Sequence, residues 1–352
     1  MINPGTVLEQ KLIESGMSRK ELAQRINVSE KHISTVINGE RGISAAFARK
    51  LGYVFENTAF WLHVQADYDE EQTRIKEVYS ISAEEIELLK PLHDITAYFI
   101  ERGYMHNDCG AASKVMQLRE LLNVSDLLYI PKITYNAAYR AQLSSNVRID
   151  PFVLFAWQRL CEKETESIHI ESNLNKQLLH NHLQDIKKMM FGDINDGIQS
   201  LQRLLAECGI AFQVVRNFRG APVQGFIKVT TDHRLILCLT IRGQRADRFW
   251  FTLFHEIAHI LNDDYTTRFV DFDSVQSEIE AKADAFASNI LIDPEQYRQF
   301  LRDSNCTIWS AIEAFAESVH VQPFIVLGRL QKDGLLEWSD YPDKVRYYKW
   351  VA

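Results

Sequence analysis

Cysteine is scarce and unpatterned in this 352-residue chain. Its five copies, Cys109, Cys161, Cys208, Cys238 and Cys306, are odd in number, widely scattered and never spaced as CxxC. That excludes a disulfide framework and reads as reduced, partly buried thiols. Long apolar runs are missing as well: no stretch of eighteen apolar residues exists, and the opening MINPGTVLEQKLIES has neither a basic nor an apolar region. Neither a helical membrane span nor a secretion signal is implied, so the expected compartment is the cytoplasm. Positive charge is in deficit, with a formal net charge of −8, which argues against blanket binding of nucleic acid. What the chain has is apolar content, 46% of its residues, enough for two or three domains with real cores.

The most informative stretch is Phe249-Trp250-Phe251-Thr252-Leu253-Phe254-His255-Glu256-Ile257-Ala258-His259-Ile260-Leu261. Two histidines four residues apart on a helix share one face, so both imidazoles reach one metal ion, with Glu256 beside it. This is the zinc-hydrolase pattern HExxH. By average residue frequencies such a match arises by chance in roughly one chain in a hundred of this length. A metal site also needs a third protein donor. The extended metzincin pattern fails, because Asn262 and Tyr265 stand where it requires a glycine and a histidine or aspartate. Farther on, Ile279, Ala283, Phe286, Ala287, Ile290 and Leu291 recur at helical spacing, and Glu280 and Asp284 share a face. The plain alternative is a solvated acidic pair, but so apolar a helix argues for packing against the HExxH helix. The arrangement resembles that of gluzincins, in which Glu280 would bind the metal and Asp284 would fix a ligand histidine.

RFWFTLFHEIAHIL followed by EAKADAFASNIL resembles the metallopeptidase domain of the ImmA/IrrE family, over roughly residues 200 to 340. Three departures from the family pattern stand out: Ala258 for a common glycine, Asp284 for a common asparagine, and Ile292-Asp293-Pro294 at the helix stop. None removes a ligand. The expectation is a Zn²⁺ cofactor on His255, His259 and Glu280, with Glu256 as general base toward a water of lowered pKa. Tyr265 and His233 are candidates, by position only, for stabilising the oxyanion. The resemblance implies a protein substrate, a repressor or antitoxin cut at a specific site. The rival from another class is a repressor or antitoxin whose zincin-like domain serves as a sensor or partner platform without turnover. Retention of Glu256 speaks against it, because metal sensing alone gives no reason to keep a base.

At the other end, charge is divided differently. Residues 1 to 66 carry eight Lys/Arg and six Glu, a balance of +2, which leaves −10 for the rest. Helical periods begin near residue 6 and stop at Gly16. Ser18 then caps a second helix in a capping box with Glu21, and Ser29 caps a third that ends at Asn38-Gly39. Two short helices joined by a tight turn describe a helix-turn-helix. LAQRINVSEKHISTVINGERGISAAFARKLG resembles the XRE-type repressor family, and PGTVLEQKL before it resembles the HigA branch. Carried over by position, Glu30, Lys31 and Thr35 face bases, His32 lies beside them and Arg41 lies near phosphate. The implied partner is double-stranded DNA, an operator with a two-fold site bound by a homodimer, since one such module reads a half-site. A helical protein-interaction module is the alternative.

The expected organisation is mainly α with a small β-sheet. Residues 1–68 form the DNA-binding bundle, 69–198 an acidic connector and helical middle region, and 199–352 the peptidase domain with a helical tail. The connector opens at Asp67-Tyr68-Asp69-Glu70-Glu71 and reaches about Ser82. AAYR followed by AWQRLCEKE resembles the segment that joins such domains, and His169, His180 and His182 receive no role. AFQVVRN, GFIKVT and LILCLTI read as three strands, with LILCLTI the edge strand that could hold an extended peptide. Residues 315 to 334 echo residues 22 to 41 in apolar skeleton and helix starts, either as a second DNA reader or as a helical pair packed on the peptidase core. Tyr341, Tyr347, Tyr348 and Trp350 mark an aromatic tail expected to dock.

Overall fold

The computed structural model describes residues 2–107, 110–134, 149–170, 172–241, 245–266, 274–302 and 305–348. The AAYR segment at 137–140, Cys109 and Trp350 lie outside the described residues. The chain divides into two compact units, residues 1–86 with 110–116 and residues 87–109 with 117–352.

The first unit is a helical bundle. Helices α1 (Pro4–Ser15), α2 (Arg19–Arg25), α3 (Glu30–Ile37), α4 (Ala45–Leu51) and α5 (Thr58–Ser80) each start where a side chain supplies the acceptor that the first turn lacks. Ser18 accepts from the Glu21 N–H and Ser29 from the His32 N–H, both at 3.1 Å. Asn3, Ser44 and Asn57 cap the other three. Each cap contributes about 1 kcal/mol. Leu8, Leu22, Ile33, Ala48, Leu51 and Trp61 are fully buried at the centre. The α2–α3 turn passes through Asn27 at φ 49°, a left-handed position that asparagine tolerates.

The polar stretch from Asp67 to Ser82, expected as a connector, is helical to Ser80 as the continuation of α5. No glycine or proline interrupts residues 58–80, and Arg74 closes a bidentate pair on Glu71 at 2.6 and 2.7 Å.

In the second unit a three-stranded sheet is built from β1 (Ile210–Val214), β2 (Gly225–Val229) and β3 (Leu235–Leu239) in the order β1-β3-β2. β3 pairs parallel with β1 and antiparallel with β2. LILCLTI is therefore the central strand and not the edge. All five β3 residues are buried, and an unbroken apolar run is the signature of a strand covered on both faces. Among the described residues, β1 and β2 are the two edges of the sheet.

Helix α6 (Pro151–Thr165) covers one face, where Trp157 meets Phe226 edge-on at 5.6 Å and Cys161 lies against Cys238. Helices α7 (Ile194–Glu207) and α8 (Ala246–Asn262) share the core on the other face with Phe212, Ile227 and Leu237. Cys161, Cys208, Cys238 and Cys306 are free thiols. Beyond α8 come α9 (Ser274–Leu291), α10 (Trp309–Ser318) and α11 (Pro323–Lys332). The pair α10–α11 echoes α2–α3 but is packed into this core, with Phe324, Ile325, Val326, Leu327 and Leu330 buried. The aromatic tail docks on the start of α8: the Trp250 indole N–H donates to the Tyr348 hydroxyl at 2.7 Å, and the Ala246 N–H to the Arg346 carbonyl at 2.9 Å. No helix among the described residues is long and apolar enough to cross a membrane.

Candidate metal centre

Helix α8 is apolar almost all round, as a helix inside a core must be. Within it His255, Glu256 and His259 are only 6%, 3% and 0% exposed. Polar groups so deep require partners. The two imidazoles share a face, with Nε2 atoms 3.1 Å apart, and the Glu280 carboxylate on α9 approaches His255 Nε2 at 3.3 Å. Their ligand atoms all lie within 4.8 Å of one another. In a tetrahedral zinc site with bonds of about 2.0–2.1 Å, neighbouring donors stand roughly 3.3 Å apart. Two nitrogens and one carboxylate oxygen at these separations fit such an ion in both donor chemistry and spacing.

The outer ring nitrogens are occupied too. His255 Nδ1 lies 2.8 Å from Asp284 Oδ1, and His259 Nδ1 lies 2.5 Å from Asp264 Oδ1. An ionised carboxylate only accepts, so each Nδ1 carries the proton and each Nε2 lone pair points into the cluster. Burial pushes the Asp284 carboxyl up, but the His255 hydrogen bond and the Lys332 ammonium outweigh it and hold the group below its ordinary value. The sequence reading paired Asp284 with a histidine of the HExxH motif, and it lies beside His255. The reading missed Asp264. Helix α8 ends on Asp263 in a left-handed turn at φ 61°, and that turn returns Asp264 to the histidine five residues earlier.

Glu256 lies against the first residue of β2. A Cβ on Gly225 would stand 2.4 Å from Glu256 Oε1, so only glycine admits the carboxylate at that spot. Gly225 also escaped the sequence reading, although a glycine opening a strand signals close approach. Tyr265 follows Asp264 in a short turn and packs against the core, where burial raises its hydroxyl pKa. His233 is not brought to the cluster. It occupies the β2–β3 turn at φ 64°, past the far end of β2, a strand that spans about 13 Å from Gly225 to Val229 at 3.3 Å per residue.

In the first unit, Glu30 and Lys31 are exposed on the first turn of α3, Thr35 is half-buried one turn on, and Arg41 is exposed beyond the helix. The Thr35 hydroxyl donates to the His32 carbonyl at 2.8 Å. His32 meets Phe47 edge-on at 4.6 Å, and burial followed by the Arg41 and Lys50 charges lowers its pKa. His32 thus packs against the bundle as well as lying on the candidate reading face.

Residues 218–331 match the model of the family Peptidase M78, the IrrE N-terminal-like domain, and residues 8–54 match a helix-turn-helix family. Virulence-associated protein A′ of Dichelobacter nodosus is 41% identical over 69 residues, 19% of this chain and 60% of that protein. Virulence-associated protein I of the same organism is 34% identical over 70 residues, 19% of this chain and 65% of that protein. The chain thus spans about three fifths of the length of these relatives. The structure of an addiction module antidote protein of a HigA family from Coxiella burnetii aligns at 28% identity over 23% of this chain and 95% of that one, with a TM-score of 0.21. This chain carries a helix-turn-helix domain near its start and a metallopeptidase-family domain toward its end, the two segments expected from the motifs.

Proposed function

We propose that this chain is a cytoplasmic DNA-binding regulator whose second unit is a zinc-dependent endopeptidase that cuts a regulatory protein, a repressor or an antitoxin. The observation that carries the reading is the convergence of His255, His259 and Glu280 beside a buried Glu256 that only glycine at position 225 admits. A zinc ion on those three donors would supply a Lewis acid toward a water and a peptide carbonyl. Asp284 and Asp264 favour the tautomer of the histidines that leaves Nε2 unprotonated. Glu256, turned off the ligand face, accepts the proton of the attacking water and passes it to the leaving amine. Low exposure of the trio keeps bulk water from competing for that proton. The head would read a two-fold operator as a homodimer, with Glu30, Lys31 and Thr35 toward bases and Arg41 toward phosphate.

The test compares Glu256→Gln with His255→Ala in zinc content, operator binding and cleavage of proteins encoded beside this one. Glu256→Gln keeps zinc and loses cleavage, whereas His255→Ala loses both. A biological output that persists in Glu256→Gln and vanishes in His255→Ala would replace hydrolysis by metal sensing.

A further inference from the structure

A pocket of about 380 Å³ opens between α9, the helix Pro294–Phe300 and α11, lined by Ser288, Asn289, Ile292, Tyr297, Arg298 and Arg329. Of its α9 residues, Ser288 follows Glu280 and Asp284 at four-residue steps, two turns beyond Glu280, while Asn289 stands farther round the helix. Eight residues along the helix amount to about 12 Å. Lys332 stands between the two places, its Nζ 3.6 Å from Asp284 Oδ2 and 4.2 Å from the Phe251 ring centre, and Arg329 is one turn back on the same helix.

Arg329 is held in advance of any ligand. Its Nε donates to Asp333 Oδ2 at 2.9 Å, the same oxygen accepts from the Tyr297 hydroxyl at 2.9 Å, and the guanidinium lies 5.2 Å from the Tyr297 ring centre. Its Nε carries the bond to Asp333 and the Tyr297 hydroxyl also lies within hydrogen-bonding reach of the guanidinium, while the Ser288 hydroxyl and the Asn289 amide have no hydrogen-bond partner among the described residues. A planar fork fixed at Nε offers its outer edge to a carboxylate. Ser288 and Asn289 add donors, while Ile292 and Tyr297 form an apolar wall suited to methylene groups.

We infer that this pocket is a substrate subsite for an acidic side chain. At about 3.3 Å per residue of extended chain, 12 Å places that residue three or four positions from the bond to be cut. The inference rests on the peptidase reading. Each nearby cation already faces one acid, Asp333, Glu295 or Asp284. Selectivity therefore comes from directed hydrogen bonds more than from net field.

Full-length, zinc-loaded Glu256→Gln protein is titrated with fluorescein-labelled alanine-based octapeptides that carry either one glutamate or one glutamine. The glutamate peptide binds at least tenfold more tightly. Arg329→Gln brings the two within twofold, and Ser288→Glu, which fills the pocket with a carboxylate of its own, does the same without touching Arg329. Equal binding of the two peptides, or a preference that survives both substitutions, overturns the subsite. Wild-type protein is assayed in parallel: cleavage indifferent to acidic residues at every position overturns the subsite and leaves the peptidase standing. A glutamate preference in binding with no cleavage by wild type overturns the peptidase and upholds the pocket.

Discussion

Two helix pairs in this chain share one pattern and meet opposite fates. Residues 22–41 and 315–334 align without a gap, and the turn residues Asn27 and His320 take the same left-handed conformation, at φ 49° and 53°. Ala23, Ile26 and Ile33 are buried in the first pair, and their counterparts Ala316, Val319 and Val326 are buried in the second. The outer face differs. Lys31 and Ser34 correspond to Phe324 and Leu327, which are buried, and Thr35 corresponds to Gly328, where a Cβ would stand 2.3 Å from Asp247 of α8. The first pair leaves exposed the face by which the second meets α8. The turn and inner skeleton make a helix pair, and the outer residues decide what it touches.

The comparison is broken most directly at aligned positions on that outer face. Leu327→Ala should cost about 2–5 kcal/mol in the unfolding transition of the second unit, as deletions in a packed core do, whereas Ser34→Ala should stay within about 0.5 kcal/mol. Chemical denaturation of the full chain reads both. Next is DNA binding: Lys31→Ala should cost about 1–3 kcal/mol in discrimination between bases and Arg41→Ala should weaken all sequences alike. Lys332→Ala, on the buried pair, should leave operator affinity unchanged in the same titration. The two turns supply a smaller effect. Asn27→Ala and His320→Ala should each lose about 1 kcal/mol, because alanine at positive φ is strained; unequal losses would show that the turns are not equivalent.

The smallest effect is a pH dependence carried by His32 of the first pair. Burial, Arg41 and Lys50 lower the His32 pKa, so the unfolded chain binds the proton more readily than the folded one. The contribution of His32 to stability is therefore complete above the ordinary histidine value of about 6.5 and is lost as the pH falls below it. His32→Asn should flatten the midpoint of the first unit between pH 7 and pH 5. The aligned residue of the second pair is Ile325, which has no proton to exchange.

Much of this was legible because it is local. Ser18 and Ser29 cap helices as their sequence context states, the HExxH spacing needs only helical geometry, and Glu280 with Asp284 follows from a second helical register. The failures involve partners chosen by topology. The unbroken apolar run LILCLTI marks a strand covered on both faces, but which strands flank it is decided by the β1-β3-β2 order. Asp264 is one acid among several near residue 263 until the left-handed turn aims it at His259, and Gly225 is one glycine among fifteen until β2 meets Glu256. The acidic connector is a different case, because acidic residues without glycine or proline leave helix and loop equally open, and the residues through Ser80 are helical.

The clasp between the tail and α8 has a consequence in time. Arg245 bridges to Tyr347, and Trp250 donates its indole hydrogen to Tyr348, about a hundred residues later in the chain. At a synthesis rate of about 5–20 residues per second, the HExxH helix leaves the ribosome roughly 5–20 s before the segment that fastens its first turn. During that interval Trp250 and Phe249 lack the ring that covers them. The helices of residues 1–86 have been synthesised long before then, so a nascent chain holds its helix-turn-helix before it holds a completed His255–His259–Glu280 cluster.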